Sequence, residues 1–161
     1  MPTASPAAAR PLARGDLVLV YFPFTDLSAT KRRPAVVLWA DPAQIDFTLG
    51  FISSQNVTAL SVGEMALLPT HPEFAQSGLS APSKIRATKL VTLDRTLIDR
   101  WLGRLGALWT ADLDRTLITA LSINTAPIRE EGRQEMARRL RSLFAGGGTQ
   151  SLIADLGLAE P

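Results

Sequence analysis

The chain has no cysteine and a single histidine, His71. Without thiols there is no disulfide scaffold, no thiolate zinc site and no cysteine nucleophile. One imidazole is too few for a histidine-based metal site and a poor start for a Ser-His-Asp triad. His71 also stands beside Pro72, in a stretch of loop character far from the other polar clusters. Aromatics are scarce at 6%, and 20% charged residues sum to a net charge of only +2, so the placement of charge must speak rather than its total. Long apolar runs are missing too. None approaches the roughly 18 residues of a membrane span, and the Ala/Pro-rich start has no signal-peptide h-region. These absences predict a soluble, cytoplasmic protein without a thiolate or histidine-based metal site.

What is present is concentrated near the start. Gly15 to Leu38 reads GDLVLVYFPFTDLSATKRRPAVVL, two strands joined by a polar loop. Leu17 to Phe22 is apolar, β-branched and aromatic, with Gly15-Asp16 punctuating its start and Pro23 its end. The loop carries Asp26, Ser28, Thr30, Lys31, Arg32 and Arg33 before Pro34 opens a second apolar run, Ala35 to Trp39. Consecutive cations at the mouth of a hairpin make a positive field suited to a phosphate. The same residues also suit a solvated loop guarded by charge.

A hydrophobic fraction of 46% over 161 residues supports one packed domain with short extensions. Residues 1–13, small and proline-punctuated, read as a disordered leader, and 14–125 as the folded body. Phe47 to Ser53 predicts a third strand, with Gly50 marking a bulge or bend. Its exit, Ser53-Ser54-Gln55-Asn56, suits local side-chain-to-backbone bonds. One or two short strands are expected around Gly63, then a loop over 70–80. Ser83 to Leu93 alternates like a half-exposed strand, placing Ile85 and Ala87 on one face and Lys84, Arg86 and Thr88 on the other. Trp101 to Leu108 reads as a last strand. Thr110 reads as the N-cap of a helix that carries Asp112 and Asp114 in its first turn and ends near Asn124. Residues 126–161 form an extension: an amphipathic helix over 128–145, a hinge of Gly146-Gly147-Gly148, and an apolar tag from Ser151 to Leu158.

GDLVLVYFPFTDLS followed by KRRPAVVL, then FISSQ, then SKIRATKLVTLD, is an ordered combination that resembles the MazF/PemK family of toxin ribonucleases over residues 14–124. The resemblance implies a β-rich α+β fold: a small, strongly curved antiparallel barrel of the Src-homology-3 type with a C-terminal helix, assembled as a homodimer. It also implies a metal-independent endoribonuclease that cuts single-stranded RNA and is neutralised by a cognate antitoxin. Arg33 matches the family's arginine before proline, which contacts the scissile phosphate. Ser53 matches a hydroxyl position that is often Thr, and Arg86 matches the arginine of an R-x-D motif. Thr88 departs from that motif, because its Asp is absent. The histidine that one branch carries in the first loop is absent as well.

Such chemistry is attack of a ribose 2′-OH on its own phosphate, and it needs a base, a stabiliser of the crowded phosphorane and a proton for the leaving oxygen. Guanidiniums suit the second task and fail at the first, since their pKa exceeds about 12. Ser53 can orient or relay, and Thr88 cannot replace a carboxylate. Asp26 remains the candidate base within the motif region. The expected catalytic set is therefore Arg33, Ser53, Arg86 and Asp26, with Lys31, Arg32, Ser54, Gln55, Lys84 and Thr88 binding RNA. Two other readings are a non-catalytic gyrase-binding toxin of the CcdB type and an RNA-binding regulator that has lost cleavage.

Overall fold

The computed structural model describes residues 10–22 and 31–143. Asp26, Ser28 and Thr30, the glycine hinge and the apolar tag lie outside the described residues. Six strands follow in order: β1 Asp16–Phe22, β2 Lys31–Ala40, β3 Asp46–Ser53, β4 Glu64–Leu67, β5 Ser83–Asp94 and β6 Ile98–Arg104. Two helices follow, α1 Ala107–Ala120 and α2 Ala126–Leu143. All the strand pairs are antiparallel, in the order β4-β5-β3-β2-β1-β6. The sheet stays open, with β4 and β6 as its edges, so the barrel closure implied by the resemblance is not formed among the described residues.

Both faces of this sheet carry core, which explains why β1 and β2 read as continuous apolar runs rather than clean alternations. On one face Leu17, Val36, Ile52 and Ile85 pack with Trp109, Leu113 and Leu117 of α1. On the other, Val18, Val20, Ala35, Val37, Phe47 and Leu49 pack with Leu12, and Phe22 stacks on Phe51 at 4.2 Å. Leu12 is only 2% exposed, and its amide donates to Gln44 Oε1 at 2.7 Å. Residues 10–13 are thus bound into the body rather than into the leader expected from their composition.

The helix start corrects the sequence reading. The last strand ends at Arg104, and α1 begins at Ala107 with Gly106 as its N-cap and no side-chain cap of its own. Thr110 lies inside the first turn, where its hydroxyl donates to Gly106 O at 2.8 Å. The exposed amide donors are met from elsewhere: Glu73 accepts from Leu108 N and Trp109 N, each at 2.9 Å. A carboxylate at a helix N-terminus satisfies orphan donors and complements the dipole. His71 has a packing role here, stacking on Trp109 at 4.5 Å.

A second correction concerns β5. Its register against β3 slips at Gly50, the position where a bulge or bend was expected: Gly50 faces Leu90 while Phe51 faces Arg86. Ala87, Thr88 and Lys89 have no partner on β3, and Ala87 N donates instead to Gly63 O at 2.8 Å. Gly63 has φ +80°, and a Cβ there would come within 2.9 Å of Thr88 Cγ2 and 2.8 Å of Ala120 Cβ. Thr88 therefore sits by the end of α1 and does not share the Arg86 face that strict alternation predicted.

Contacts divide the chain after Ile123. In the second unit, α2 is laced by Glu135, which meets Arg138 and Arg139 at 2.8 Å each, the i,i+3 and i,i+4 pairing of an exposed helix.

Candidate functional site

At one end of the sheet, where β2 begins and β3 exits, a cleft of about 270 Å³ opens. Pro34 and Ile52 line it, together with Leu79, Ser80, Ala81 and Ser83 from the loop before β5. Around them stand Lys31, Arg32, Arg33, Ser53, Ser54 and Gln55. Six of the expected site residues thus meet in one place, although 20 positions separate Arg33 from Ser53. The pairing Ala35↔Phe51 explains this, because Arg33 and Ser53 each lie two residues beyond that pair and share its face.

The cleft is electropositive. No carboxylate is among its described lining residues. Arg32 is partly neutralised by Asp99 at 3.2 Å, a carboxylate that also accepts from the Tyr21 hydroxyl at 3.0 Å. Lys31 and the half-buried Arg33 have no ion-pair partner among the described residues. Ser53 Oγ accepts from Gln55 N at 3.2 Å, which orients the hydroxyl and leaves its proton available to a ligand oxygen.

Lys84 and Arg86 lie outside this cleft. Lys84 faces Ser53 across the β3–β5 ladder, and Arg86 faces Phe51, about 6.6 Å further into the sheet. Lys84, expected on an exposed face, is only 7% exposed. Its ammonium reaches Glu64 Oε2 at 2.7 Å, Asn56 O at 3.2 Å and Ala59 O at 3.3 Å. Three donors meet three acceptors, so Lys84 has none left for RNA, and its expected substrate-binding role gives way to a structural one. Arg86 Nε is 3.0 Å from Glu64 Oε1. The carboxyl of Glu64 is held below its usual range, chiefly by the hydrogen bond from Lys84 and then by the amide of Ser61.

Sequence reading missed Glu64, Asp99 and Glu73. Each is an unremarkable acid locally, and its partner lies across a strand pairing or on another element. The pairing Glu64↔Arg86 could be foreseen only with the register in hand. Among the described residues no group of His, Cys, Asp or Glu could hold a metal ion. No described helix is long and apolar enough to cross a membrane.

A second concavity, about 490 Å³, lies between the sheet and the end of α1. It is largely apolar, lined by Leu38, Trp39, Leu90, Leu117, Leu121 and Ile123, with Arg14 and Asp114 joined at its rim. Trp39 is 51% exposed there.

Comparison with solved structures places this architecture. A mycobacterial endoribonuclease in complex with its cognate antitoxin matches with a TM-score of 0.52 at 18% identity, over 71% of this chain and 98% of that one. The Mycobacterium tuberculosis toxin MazF-mt6 matches at 0.53 and 18% identity, over 69% and 99% of the respective chains. MazF from Deinococcus radiodurans gives 0.52 at 21% identity, over 70% and 97%. At these identities the likeness is one of fold. A sequence comparison with curated proteins returns no match. The model of the PemK-like, MazF-like toxins of type II toxin–antitoxin systems matches residues 13–121, well over half of the chain. The chain belongs to that toxin family.

Proposed function

We propose that the protein is a metal-independent endoribonuclease that cuts single-stranded RNA in the cytoplasm and thereby inhibits translation and growth. The observation that carries this reading is the cleft in which Arg33, Ser53 and Lys31 stand together without a neutralising carboxylate among the described lining residues. A guanidinium without a counter-charge among the described residues, beside an oriented hydroxyl, is suited to a phosphodiester and to the extra charge of its phosphorane. In the reaction the 2′-oxygen attacks phosphorus, forming the O2′–P bond and breaking the P–O5′ bond. The 2′ proton passes to a base and the O5′ oxygen takes one up, leaving a 2′,3′-cyclic phosphate and a 5′-OH. Arg33 and Arg86 stabilise the phosphorane, Ser53 orients or relays, and Asp26 is the proposed base. Lys31, Arg32, Ser54 and Gln55 hold the strand.

The partners follow the same reading. A cognate antitoxin neutralises the toxin, consistent with the mycobacterial complex that shares its fold. A second copy of the chain covers apolar surface such as Trp39 and Leu121, and a dimer mass in light scattering at micromolar concentration is expected.

The test is to incubate the purified full chain with long single-stranded RNA in EDTA. Discrete fragments with 5′-OH ends are expected, and intact RNA would refute the reading. A second reading, an RNA-binding regulator without cleavage, is favoured by one observation: Asp99 on β6 and Glu64 on β4, carboxylates of the two edge strands, are both engaged by cations. RNA that is bound but left whole would select it.

A further inference from the structure

Glu64 is a carboxylate with a 4% exposed side chain, placed between two cations on the face that carries Arg33 and Ser53. Its two oxygens divide the work. Oε2 takes the ammonium of Lys84 and the amide of Ser61 at 3.0 Å, which anchors the carboxylate to β5 and to the loop before β4. Oε1 faces Arg86 Nε at 3.0 Å. That Nε is closed to solvent and has no aligned hydrogen-bond acceptor, so Glu64 is the group that balances it. The Arg86 side chain as a whole is 36% exposed. One edge of its guanidinium is paired by charge with a buried carboxylate, while the terminal nitrogens have no partner among the described residues. Lys84 is saturated by its three acceptors, so it acts through Glu64 rather than on a ligand.

We propose that Glu64 is a positioning residue for RNA cleavage: it clamps Arg86 by its Nε edge so that the terminal nitrogens meet the reacting phosphate. This rests on the endoribonuclease reading. A guanidinium held in place before reaction stabilises a phosphorane without reorganisation, whereas a loose one must be ordered at each turnover. Losing the clamp therefore lowers kcat and leaves KM nearly unchanged.

The test is a double-mutant cycle on single-turnover cleavage of a long single-stranded RNA by the full chain. Glu64→Gln should lower the rate constant by about tenfold or more, with KM held. Arg86→Ala should lower it by about 10². In the Arg86→Ala background Glu64→Gln should add nothing, because a residue acting only through Arg86 has no effect once Arg86 is gone. Multiplicative effects, or a Glu64→Gln enzyme with the wild-type rate, would overturn the clamp. Should Glu64→Gln lose its folded circular-dichroism signal, Glu64→Asp takes its place in the same cycle under the same criterion. A wild-type chain that leaves RNA intact would overturn the endoribonuclease reading itself, and the clamp with it. Active wild type with additive variants would sink the clamp alone.

Discussion

Two groups of cations lie on strands of this sheet that β3 separates, and they meet opposite fates. Lys31 and Arg33 open β2 at the sheet's end and stand without a carboxylate among the described residues. Lys84 and Arg86, on β5, converge on Glu64, and Lys84 is sealed from solvent. Both segments are basic, β2 opening on three consecutive cations and β5 interleaving its cations with apolar residues. A single acid on the next strand separates them. Positive charge stays without a described counter-charge where the register leaves it unanswered, and becomes structure where the register supplies an answer.

The largest effect should come from breaking the answered group. Glu64→Ala leaves the ammonium of Lys84 buried with its charge uncompensated, and removal of one partner of a buried pair costs on the order of 3 kcal/mol. Chemical denaturation should show the midpoint falling accordingly. Lys31→Ala, on the exposed strand end, should shift stability by no more than about 0.5 kcal/mol.

Titration sharpens the same contrast. Glu64 has its folded pKa below the usual carboxylate range, through the Lys84 hydrogen bond first and the Ser61 amide second. A depressed carboxylate contributes stability that is fully present above its unfolded pKa and is lost as pH falls through the folded one. Stability should therefore decline below about pH 4.5, and Glu64→Gln should flatten that decline relative to wild type. An unchanged acid limb in the variant would show that other carboxylates carry it.

The smallest effect concerns salt. If Lys31 contacts an RNA phosphate, Lys31→Ala should reduce the slope of log affinity against log salt by about 0.7, the single-strand value for one phosphate. Lys84→Met, which removes a saturated and buried ammonium, should leave that slope unchanged. Equal slope changes in both variants would erase the distinction between the two groups.

Much of the sheet was legible because β1, β2 and β3 are apolar runs bounded by Gly15, Pro23 and the polar exit at Ser53. The cations of the cleft were legible for a similar reason: they sit at strand ends, where local pattern and topology agree. What escaped depended on distant partners. The start of α1 was misplaced because its capping acid, Glu73, comes from a loop 35 residues before Leu108. The Trp101 to Leu108 reading ran too far because the strand ends at Arg104 and Gly106 already caps the next helix. Lys84 alternates correctly by sequence, yet it is buried, since Glu64 and the carbonyls of Asn56 and Ala59 reach it from elsewhere. Thr88 was placed by a strict period of two, which the register slip at Gly50 cancels. An Asp at position 88 would accordingly stand by Gly63 and the end of α1 rather than beside Arg86.

The most direct test of the unanswered cations is the single-turnover rate of RNA cleavage in EDTA by Arg33→Ala against wild type. Arg33 lines the cleft and has no ion-pair partner among the described residues, so its loss should leave the fold intact and lower the rate by at least about 10². An Arg33→Ala protein that cuts at the wild-type rate would place the chemistry elsewhere on the molecule.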